Sequence, residues 1–358
     1  MSELQTALLA IGTGVIVMLY GYGWWQQRQY RRKFGDAFKT TREDALHRTD
    51  SAEPARQTAP AESPETAISD AVQDTVTVAT LLDESCALIT AGSDFIIELH
   101  PDEASPPSLL DGLWQRKFDF GKPVQVCGLT LAGNQWERVI AESPALYDRF
   151  RIALQLVDRG GAISAAKLGD FRDLIAGIAT HAKANLSAPD IEATHRHALE
   201  MDAFCAGVDQ MIGVNLIPPG ERLLMGSKIA QSAALLGMTL ESDGAFHLFD
   251  AQKHSLFSLI NLDTQPFRHH QLETFGTGGI TLLLDVPRVE NPAMQFDRLM
   301  HVAHGLAKSL QVNLVDDHRV PLNDEGLARI RERIAEVEAK MREQGYPPGS
   351  AQARRLFS

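Results

Sequence analysis

The strongest constraint on this chain lies at its N-terminus, where Leu4 to Trp25 contain no charged side chain. A helix of about 20 apolar residues is long enough to cross the roughly 30 Å hydrocarbon core of a bilayer. The segment ends in an aromatic cluster that includes Trp24 and Trp25, and such rings favour the lipid–water boundary. The pattern predicts one transmembrane helix, which with its flanks occupies residues 1–27.

The charges around this segment predict its orientation. Only Glu3 precedes it, and the basic residues that follow are Arg28, Arg31, Arg32 and Lys33. Because basic residues favour the cytoplasmic side, we expect the N-terminus outside and the rest of the chain inside. A secretory signal peptide would carry its positive charges before the apolar core. A buried globular helix is seldom apolar on every face.

Composition and cysteine usage narrow the function classes. With 358 residues, 44% of them hydrophobic, the chain has room for two ordinary domains beyond the anchor. The net charge of −12 argues against a nucleic-acid surface, which would be basic. The chain has an odd number of cysteines, and they lie far apart in the sequence: Cys86, Cys127 and Cys205. This spacing predicts reduced, buried thiols in the cytoplasm, with neither a disulfide nor a zinc site.

Residues 28–76 begin as a basic juxtamembrane segment and continue as a proline-containing acidic stretch with few large apolar side chains. Such a composition cannot offset the entropy of ordering, so it predicts a flexible linker. After it we expect a middle α+β domain at residues 77–200. A second α+β domain should follow at 201–345, with a C-terminal tail at 346–358.

The predicted elements of the middle domain follow from hydrophobic periodicity. They are strands at 95–99, 124–131 and 151–156 and helices at 109–116 and 166–184.

The second domain gives clearer signals. Its predicted strands are 211–217, 245–249, 256–262, 280–286 and 312–315, and its helices are 226–237, 292–311 and 324–343. Asn323 is the expected N-cap of the last helix. The similar order of elements in the two halves suggests an internal duplication. Because amphipathic helices resemble one another for trivial reasons, that question stays open.

Polar residues do not form a pattern typical of catalysis or metal binding. His301 and His304 lie three apart on a helix without a third ligand at suitable spacing, so we expect them to face solvent. His195 and His197 are expected on the surface of a linker, and residues 316–317 are expected to shape a turn. No Ser/His/Asp arrangement suggests itself. We therefore expect no enzyme, no cofactor and no metal.

Two strands of the second domain carry apolar residues on both faces. In one strand, Ile260 and Leu262 lie opposite Phe257 and Leu259; in the next, Leu283 lies opposite its two leucine neighbours. Helices normally cover one face of such an antiparallel sheet. The other face would be an exposed apolar patch, typical of a binding surface. The alternative is that the C-terminal helix or the middle domain covers it.

Several segments resemble the C-terminal domain of the ZipA family. The resemblance rests on HSLFSLINLDTQPF, GITLLLDVP, FDRLMHVAHGLA and LVDDHR before a long helix, all in the same order and spacing. It extends from about Gln210 to Lys340. It implies a split β-α-β fold, with helices on one face of an antiparallel sheet, whose open face binds the C-terminal tail of FtsZ.

The same resemblance implies a role in cell division. Members have an N-terminal anchor, a flexible linker and a cytoplasmic domain that tethers or stabilises the Z ring during septation. This chain would then be a single-pass inner-membrane protein at the division site, with its N-terminus in the periplasm.

The resemblance also implies which residues form the FtsZ groove. Carried over by position, they are Met211, Gly213, Gly244, Phe246, Ile260, Leu262, Thr281, Leu283 and Asp285. Asp285 would meet a basic residue of the tail. Larger side chains stand in the family at the positions of Gly213, Gly244 and Leu283, so the groove is deeper here or the tail differs.

Two points stay open. The runner-up function is a membrane-tethered scaffold of the same fold that binds another division or signalling protein, and a membrane-bound hydrolase is a distant third. The middle domain lies outside the resemblance, and it would bind a second partner or brace the second domain.

Overall fold

The structure is a computed structural model that describes residues 84–131, 135–263 and 265–358, which belong to one structural unit. The predicted membrane span at 4–25 and the linker at 28–76 lie outside these residues. Within the described ranges, no helix has both the length and the apolar character needed to cross a bilayer.

The first half is built on a five-stranded sheet of order β3-β2-β4-β1-β7. Its elements are α1 (Glu84–Ala87), β1 (Asp94–Pro101), a 3-10 helix (Pro107–Leu110), α2 (Asp111–Arg116), β2 (Val124–Thr130), β3 (Trp136–Arg138), β4 (Tyr147–Gln155), β5 (Val157–Asp158), β6 (Gly161–Ala162), α3 (Ala165–Ala182) and β7 (Ala184–Ser187). The strands and helices predicted for this half are confirmed, with ends shifted by up to four residues.

Helix α3 covers one face of this sheet. It begins where the Ser164 side chain accepts a hydrogen bond from the Lys167 backbone, a typical N-cap. Its buried residues are Leu168, Phe171, Ile175 and Ala179. Because these positions recur every three or four residues, they form one apolar stripe that packs on the sheet.

The second half is built on a six-stranded antiparallel sheet of order β10-β11-β12-β14-β8-β15. Its elements are α4 (Ile191–Val208), β8 (Met211–Ile217), β9 (Leu224–Met225), α5 (Gly226–Leu235), β10 (Thr239–Leu240), β11 (Phe246–Phe249), β12 (Ser255–Asn261), β13 (Gly276–Thr277), β14 (Ile280–Asp285), α6 (Pro292–Leu310), β15 (Asn313–Val315), α7 (Asp324–Glu343) and α8 (Ala351–Leu356). The predicted α+β class with antiparallel sheets is confirmed, and so is the Asn323 cap, which accepts a hydrogen bond from Gly326 N.

The two sheets share their central topology. In each half, the strand before the long helix pairs with the first strand, which also pairs with the strand after that helix: β4-β1-β7 around α3, and β14-β8-β15 around α6. The outer strands differ in order. In the first sheet β2, the earlier strand of its hairpin, lies next to the central strands, whereas in the second sheet the later strand, β12, does. An internal duplication therefore stays a prediction.

The prediction that His195 and His197 lie in a linker is wrong. This segment forms the 18-residue helix α4, whose buried positions 198, 201, 205 and 208 have helical spacing. His195 Nδ1 lies 3.0 Å from the Ile163 carbonyl oxygen, and His197 Nε2 lies 2.9 Å from that of Gly92. Both half-buried histidines therefore tie α4 to the first half.

The expectation of three reduced thiols is also wrong. Cys86 and Cys127 form a disulfide that joins α1 to β2, with a Cα–Cα distance of 5.9 Å. Their separation of 41 residues hid this contact, because only the folded sheet brings the two segments together. Cys205 is free and buried, as predicted. Cysteine usage consequently no longer supports a reducing compartment.

The two halves share one contiguous hydrophobic core. Residue 200, the expected domain boundary, lies inside α4. The expected tail at 346–358 contains α8, and Ala353, Leu356 and Phe357 are buried in the core. Arg355 forms an ion pair with Asp94, at 2.5 Å, which anchors the C-terminus to β1.

Candidate partner-binding face

Strand β14 separates a covered face of the second sheet from an opposite one. Leu282 and Leu284 are fully buried at 0% exposure, on the side where α6 packs. Leu283 and Asp285 point the other way and are half-buried. The same alternation continues on β12, where Leu259 is fully buried and its neighbours are half-buried.

The register of the strands defines this opposite surface, here named the open face. It consists of His247, Ser258, Ile260, Leu262, Thr281, Leu283, Asp285, Met211, Gly213 and Asn215. One row across four strands runs through His247, Ser258, Leu283 and Gly213, which are successive antiparallel partners. Paired residues of adjacent strands share a face, so these side chains can contact one ligand together.

Three predicted residues supply the apolar part of the open face. Ile260 and Leu283 are half-buried, and Leu262 is 37% exposed. Gly213 adds space to this surface, since a Cβ there would have Leu283 Cδ2 as its nearest neighbour, at 3.5 Å. Met211 lies at the far end, half-buried and opposite Asp285. The structure therefore brings these five predicted residues onto one surface.

Phe246 and Gly244 do not lie on the open face, so their predicted placement is wrong. Phe246 pairs with Leu259 on the covered face, is 3% exposed and packs against Phe267 with ring centroids 5.1 Å apart. Gly244 has a φ of +83° in the turn before β11, and a Cβ there would lie 2.3 Å from Pro266 Cβ. The parity of this short strand places His247 on the open face instead.

An ion-pair cluster closes one end of the open face. Arg159, from the β5–β6 turn of the first half, donates hydrogen bonds to both carboxylate oxygens of Asp285, at 2.8 and 2.9 Å. It also binds Asp209, at 2.8 Å. Burial alone would lower the pKa of Arg159, but its hydrogen bonds to the two aspartates raise it above its usual value. Asp285 is thus already paired, and a basic residue of a partner would meet this shared cluster.

A polar chain closes the other end. Thr281 Oγ1 donates to Asn215 Oδ1 at 2.7 Å, and Asn215 Nδ2 donates to Asp317 Oδ1 at 2.9 Å. Both side chains of this pair, Thr281 and Asn215, are buried, and these hydrogen bonds satisfy their polar groups. Asp316 accepts hydrogen bonds from two backbone amides of its own loop, so it shapes the predicted turn.

His247 belongs to an arrangement that sequence reasoning missed. Its Nε2 lies 2.9 Å from Asp243 Oδ2, and its Nδ1 lies 2.8 Å from Ser255 Oγ. The order resembles a catalytic triad, but the aspartate of a triad is buried. The Asp243 side chain is 58% exposed, so the two contacts are better explained as fixing the ring orientation at the edge of the open face.

Comparison with known proteins finds a described domain that matches part of the second half. Residues 210–333 match the family model described as "ZipA, C-terminal FtsZ-binding domain". This range contains every open-face residue described above. The resemblance to ZipA inferred from the sequence motifs is therefore confirmed over residues 210–333.

Curated relatives give the same result. The cell division protein ZipA of Pseudomonas fluorescens (strain SBW25) is 30% identical over 143 residues, which cover 36% of this chain and 50% of that protein. The ZipA of Ectopseudomonas mendocina (strain ymp) is 24% identical, over 40% of this chain and 55% of the relative. That of Haemophilus influenzae (strain PittGG) is 33% identical, over 28% and 32%. The alignments thus span about half the length of these relatives or less.

Proposed function

We propose that the ZipA-like domain of this chain binds the C-terminal tail of FtsZ on its open face. In this proposal the chain is a non-enzymatic adaptor that tethers or stabilises the Z ring at the inner membrane. The observation that carries the proposal is the alternation along β14, where Leu283 is half-buried opposite the fully buried Leu282 and Leu284. An apolar patch on the solvent side of a sheet is typical of a binding surface.

The chemistry of the open face suits an apolar peptide segment. Ile260, Leu262 and Leu283 offer aliphatic contacts, and Gly213 leaves room for a partner side chain. Burial of apolar surface contributes roughly 25 cal/mol per Å². Association costs several kcal/mol, so a shallow apolar contact supports only modest affinity. Polymerised FtsZ presents many tails, and avidity would then hold the ring.

Membrane tethering is the second part of the proposal. It rests on the uncharged segment at 4–25, with basic residues behind it, which favours a single-pass anchor with the ZipA-like domain on the cytoplasmic side. The Cys86–Cys127 disulfide favours an oxidising compartment and stands against this location. Rapid alkylation of intact cells distinguishes the two locations. If Cys86 and Cys127 are trapped as thiols, the cytoplasmic side is supported; if they are trapped as a disulfide, it is contradicted.

Co-sedimentation with FtsZ polymers tests the docking surface. The full-length chain should pellet with polymers of FtsZ from the same organism, and Leu262→Asp or Leu283→Asp should abolish this while circular dichroism stays unchanged. Leu235→Asp is the matched control, because Leu235 is 80% exposed on α5, away from the open face. If both open-face variants still pellet with FtsZ, the proposed surface is wrong.

A second candidate is a scaffold of the same fold that binds another division or signalling protein. Two observations favour it: His247 stands on the open face where the resemblance implies Phe246, and Asp285 is already paired with Arg159. An FtsZ tail peptide that fails to bind saturably, while the chain still recruits another division protein through Leu283, would favour this candidate.

A further inference from the structure

One end of the open face is completed by a residue of the first half. Arg159 lies in the β5–β6 turn, whereas Asp285 ends β14 and Asp209 follows α4. The Arg159 guanidinium reaches both carboxylates, at 2.8 Å each. The matched range 210–333 contains Asp285 but neither Arg159 nor Asp209. The charge at this end of the open face is therefore set by residues outside the matched domain.

Hydrogen bonds fix the turn that carries Arg159. Lys122 Nζ donates to Asp158 Oδ1 and to the Gly161 carbonyl oxygen, both at 2.5 Å. The same Asp158 oxygen accepts a hydrogen bond from the Gly160 amide at 2.6 Å. Gly161 has a φ of +103°, which glycine adopts without a steric penalty. Arg159 is thus positioned by its own turn before any partner binds.

The guanidinium of Arg159 is also oriented. Its Cζ lies 5.9 Å from the centre of the buried Phe357 ring. Its Nη1 and Nη2 donate to the two carboxylate oxygens of Asp285, a bidentate geometry that a lysine cannot reproduce. The guanidinium therefore faces the two aspartates in one defined arrangement.

This cluster of Arg159, Asp209 and Asp285 remains accessible to a partner. The side chains are 26% exposed in Arg159, 30% in Asp209 and 22% in Asp285. Met211 pairs with Asp285 across the strands and is half-buried, so a peptide that lies along the apolar row can reach the cluster. Two carboxylates and one guanidinium sum to one negative charge, whereas the carboxylates alone would carry two.

The remaining charge decides how a charged partner residue is received. A basic residue that approaches Asp285 is attracted by the two carboxylates and repelled by Arg159, and an acidic residue experiences the reverse. Unit charges a few ångströms apart interact strongly at a partly buried site. Specificity is a difference of affinities, so a repulsive element contributes to it as much as an attractive one.

We propose that Arg159 sets the charge that the open face accepts at its β14 end. It offsets the aspartates, so that a basic residue of the FtsZ tail gains less, and an acidic residue loses less, than at a bare Asp209–Asp285 pair. This inference rests on the proposed function, because it concerns how the same tail is recognised. The first half is then part of the binding site.

A charge scan of the tail peptide tests this inference. Synthetic tails of FtsZ from the same organism, each with one Lys or one Glu at successive positions, are titrated onto the full-length chain in detergent. At each position, the charge preference is the Kd of the Glu peptide divided by the Kd of the Lys peptide. Arg159→Met should raise this ratio roughly tenfold at adjacent positions of the tail and leave it unchanged elsewhere.

Further variants separate charge from fold. Arg159→Lys keeps the charge and should keep the ratio of the parent. Arg159→Gln keeps a hydrogen-bonding group toward the aspartates and should show the same rise as Arg159→Met, which covers the case in which the methionine variant does not fold. Arg331→Met is the matched control, because it removes the same charge from α7, where Arg331 pairs with Asp297 of α6.

Two results would overturn the inference while tail binding persists. One is an unchanged ratio in the folded Arg159→Met and Arg159→Gln variants. The other is a rise spread evenly over all positions and shared by Arg331→Met, which would reflect net charge alone. If no tail peptide binds the parent saturably, the FtsZ proposal itself is overturned, and this inference with it.

Discussion

At the scale of single residues, two adjacent leucines of β14 lie on opposite faces of the sheet and have different roles. Leu282 is fully buried beneath α6, where its apolar side chain stabilises the core. Leu283 is half-buried on the open face, where an apolar side chain gains little for the fold. Leu283 is therefore informative about binding, whereas Leu282 is informative only about folding.

The cysteines lead to a prediction that one labelling experiment can check. Burial raises the pKa of the Cys205 thiol to about 12, with further contributions from the charges of Asp202 and Asp209. At pH 8 this thiol should stay protonated and resist iodoacetamide, because the thiolate is the reactive form. The purified native chain should therefore incorporate no label.

Unfolding in urea provides the control for this prediction. Without a reductant, only Cys205 should react, because Cys86 and Cys127 are joined by a disulfide. With a reductant, all three cysteines of the chain should react, as counted by mass spectrometry. Labelling of all three without a reductant would contradict the disulfide.

At the scale of elements, β11 shows why parity decides which residues bind a partner. This strand has four residues, and its sequence FHLF has an apolar residue at each end of opposite parity. The register to β12 puts Phe246 on the covered face and His247 on the open face. Phe246 was assigned to the groove by position from the family resemblance, and a pattern this short cannot specify the register that would have tested that assignment.

Paired substitutions in β11 test this assignment. Phe246→Ala should cost roughly 3–5 kcal/mol of unfolding free energy in urea titrations, as is typical of a buried phenylalanine. His247→Ala should cost only about 1 kcal/mol, because the ring's hydrogen bonds to Asp243 and Ser255 lie at the surface. It should weaken FtsZ co-sedimentation instead. Equal losses of stability in the two variants would contradict the observed register.

Most elements could be predicted because their signals are local. Strand β8 and helix α7 have the bounds that periodicity and the Asn323 cap predicted. Helix α4 was missed although its buried positions have helical spacing, because its polar and histidine-rich start resembles a linker. The Arg159–Asp285 contact joins residues 126 apart, and nothing local in the sequence signals it.

At the scale of the whole molecule, the C-terminus holds the two halves together. Arg355 donates to Asp94, whose side chain is fully buried, and also to the Leu88 carbonyl oxygen at 2.7 Å. The Gln155 side chain donates to the Arg355 carbonyl oxygen at 3.0 Å. These contacts therefore connect the C-terminal segment to the first half.

The Arg355–Asp94 ion pair predicts a large effect from one substitution. Arg355→Ala should lower the unfolding free energy by roughly 2–4 kcal/mol, because it leaves the buried Asp94 carboxylate without its cation. Arg331→Ala is the matched control, since its pair with Asp297 is about half exposed and should contribute much less to stability. Urea titration of both variants measures the difference, and similar losses would show that the C-terminal contact does not stabilise the chain.

The most direct test of the central claim follows individual methyl groups while an FtsZ tail peptide is titrated onto the leucine- and isoleucine-labelled chain. The account predicts saturable NMR shifts at Ile260, Leu262 and Leu283. Leu259 and Leu282, on the covered face, should change much less. A saturable peptide whose shifts map away from the open face, or no saturable binding at all, would contradict the account.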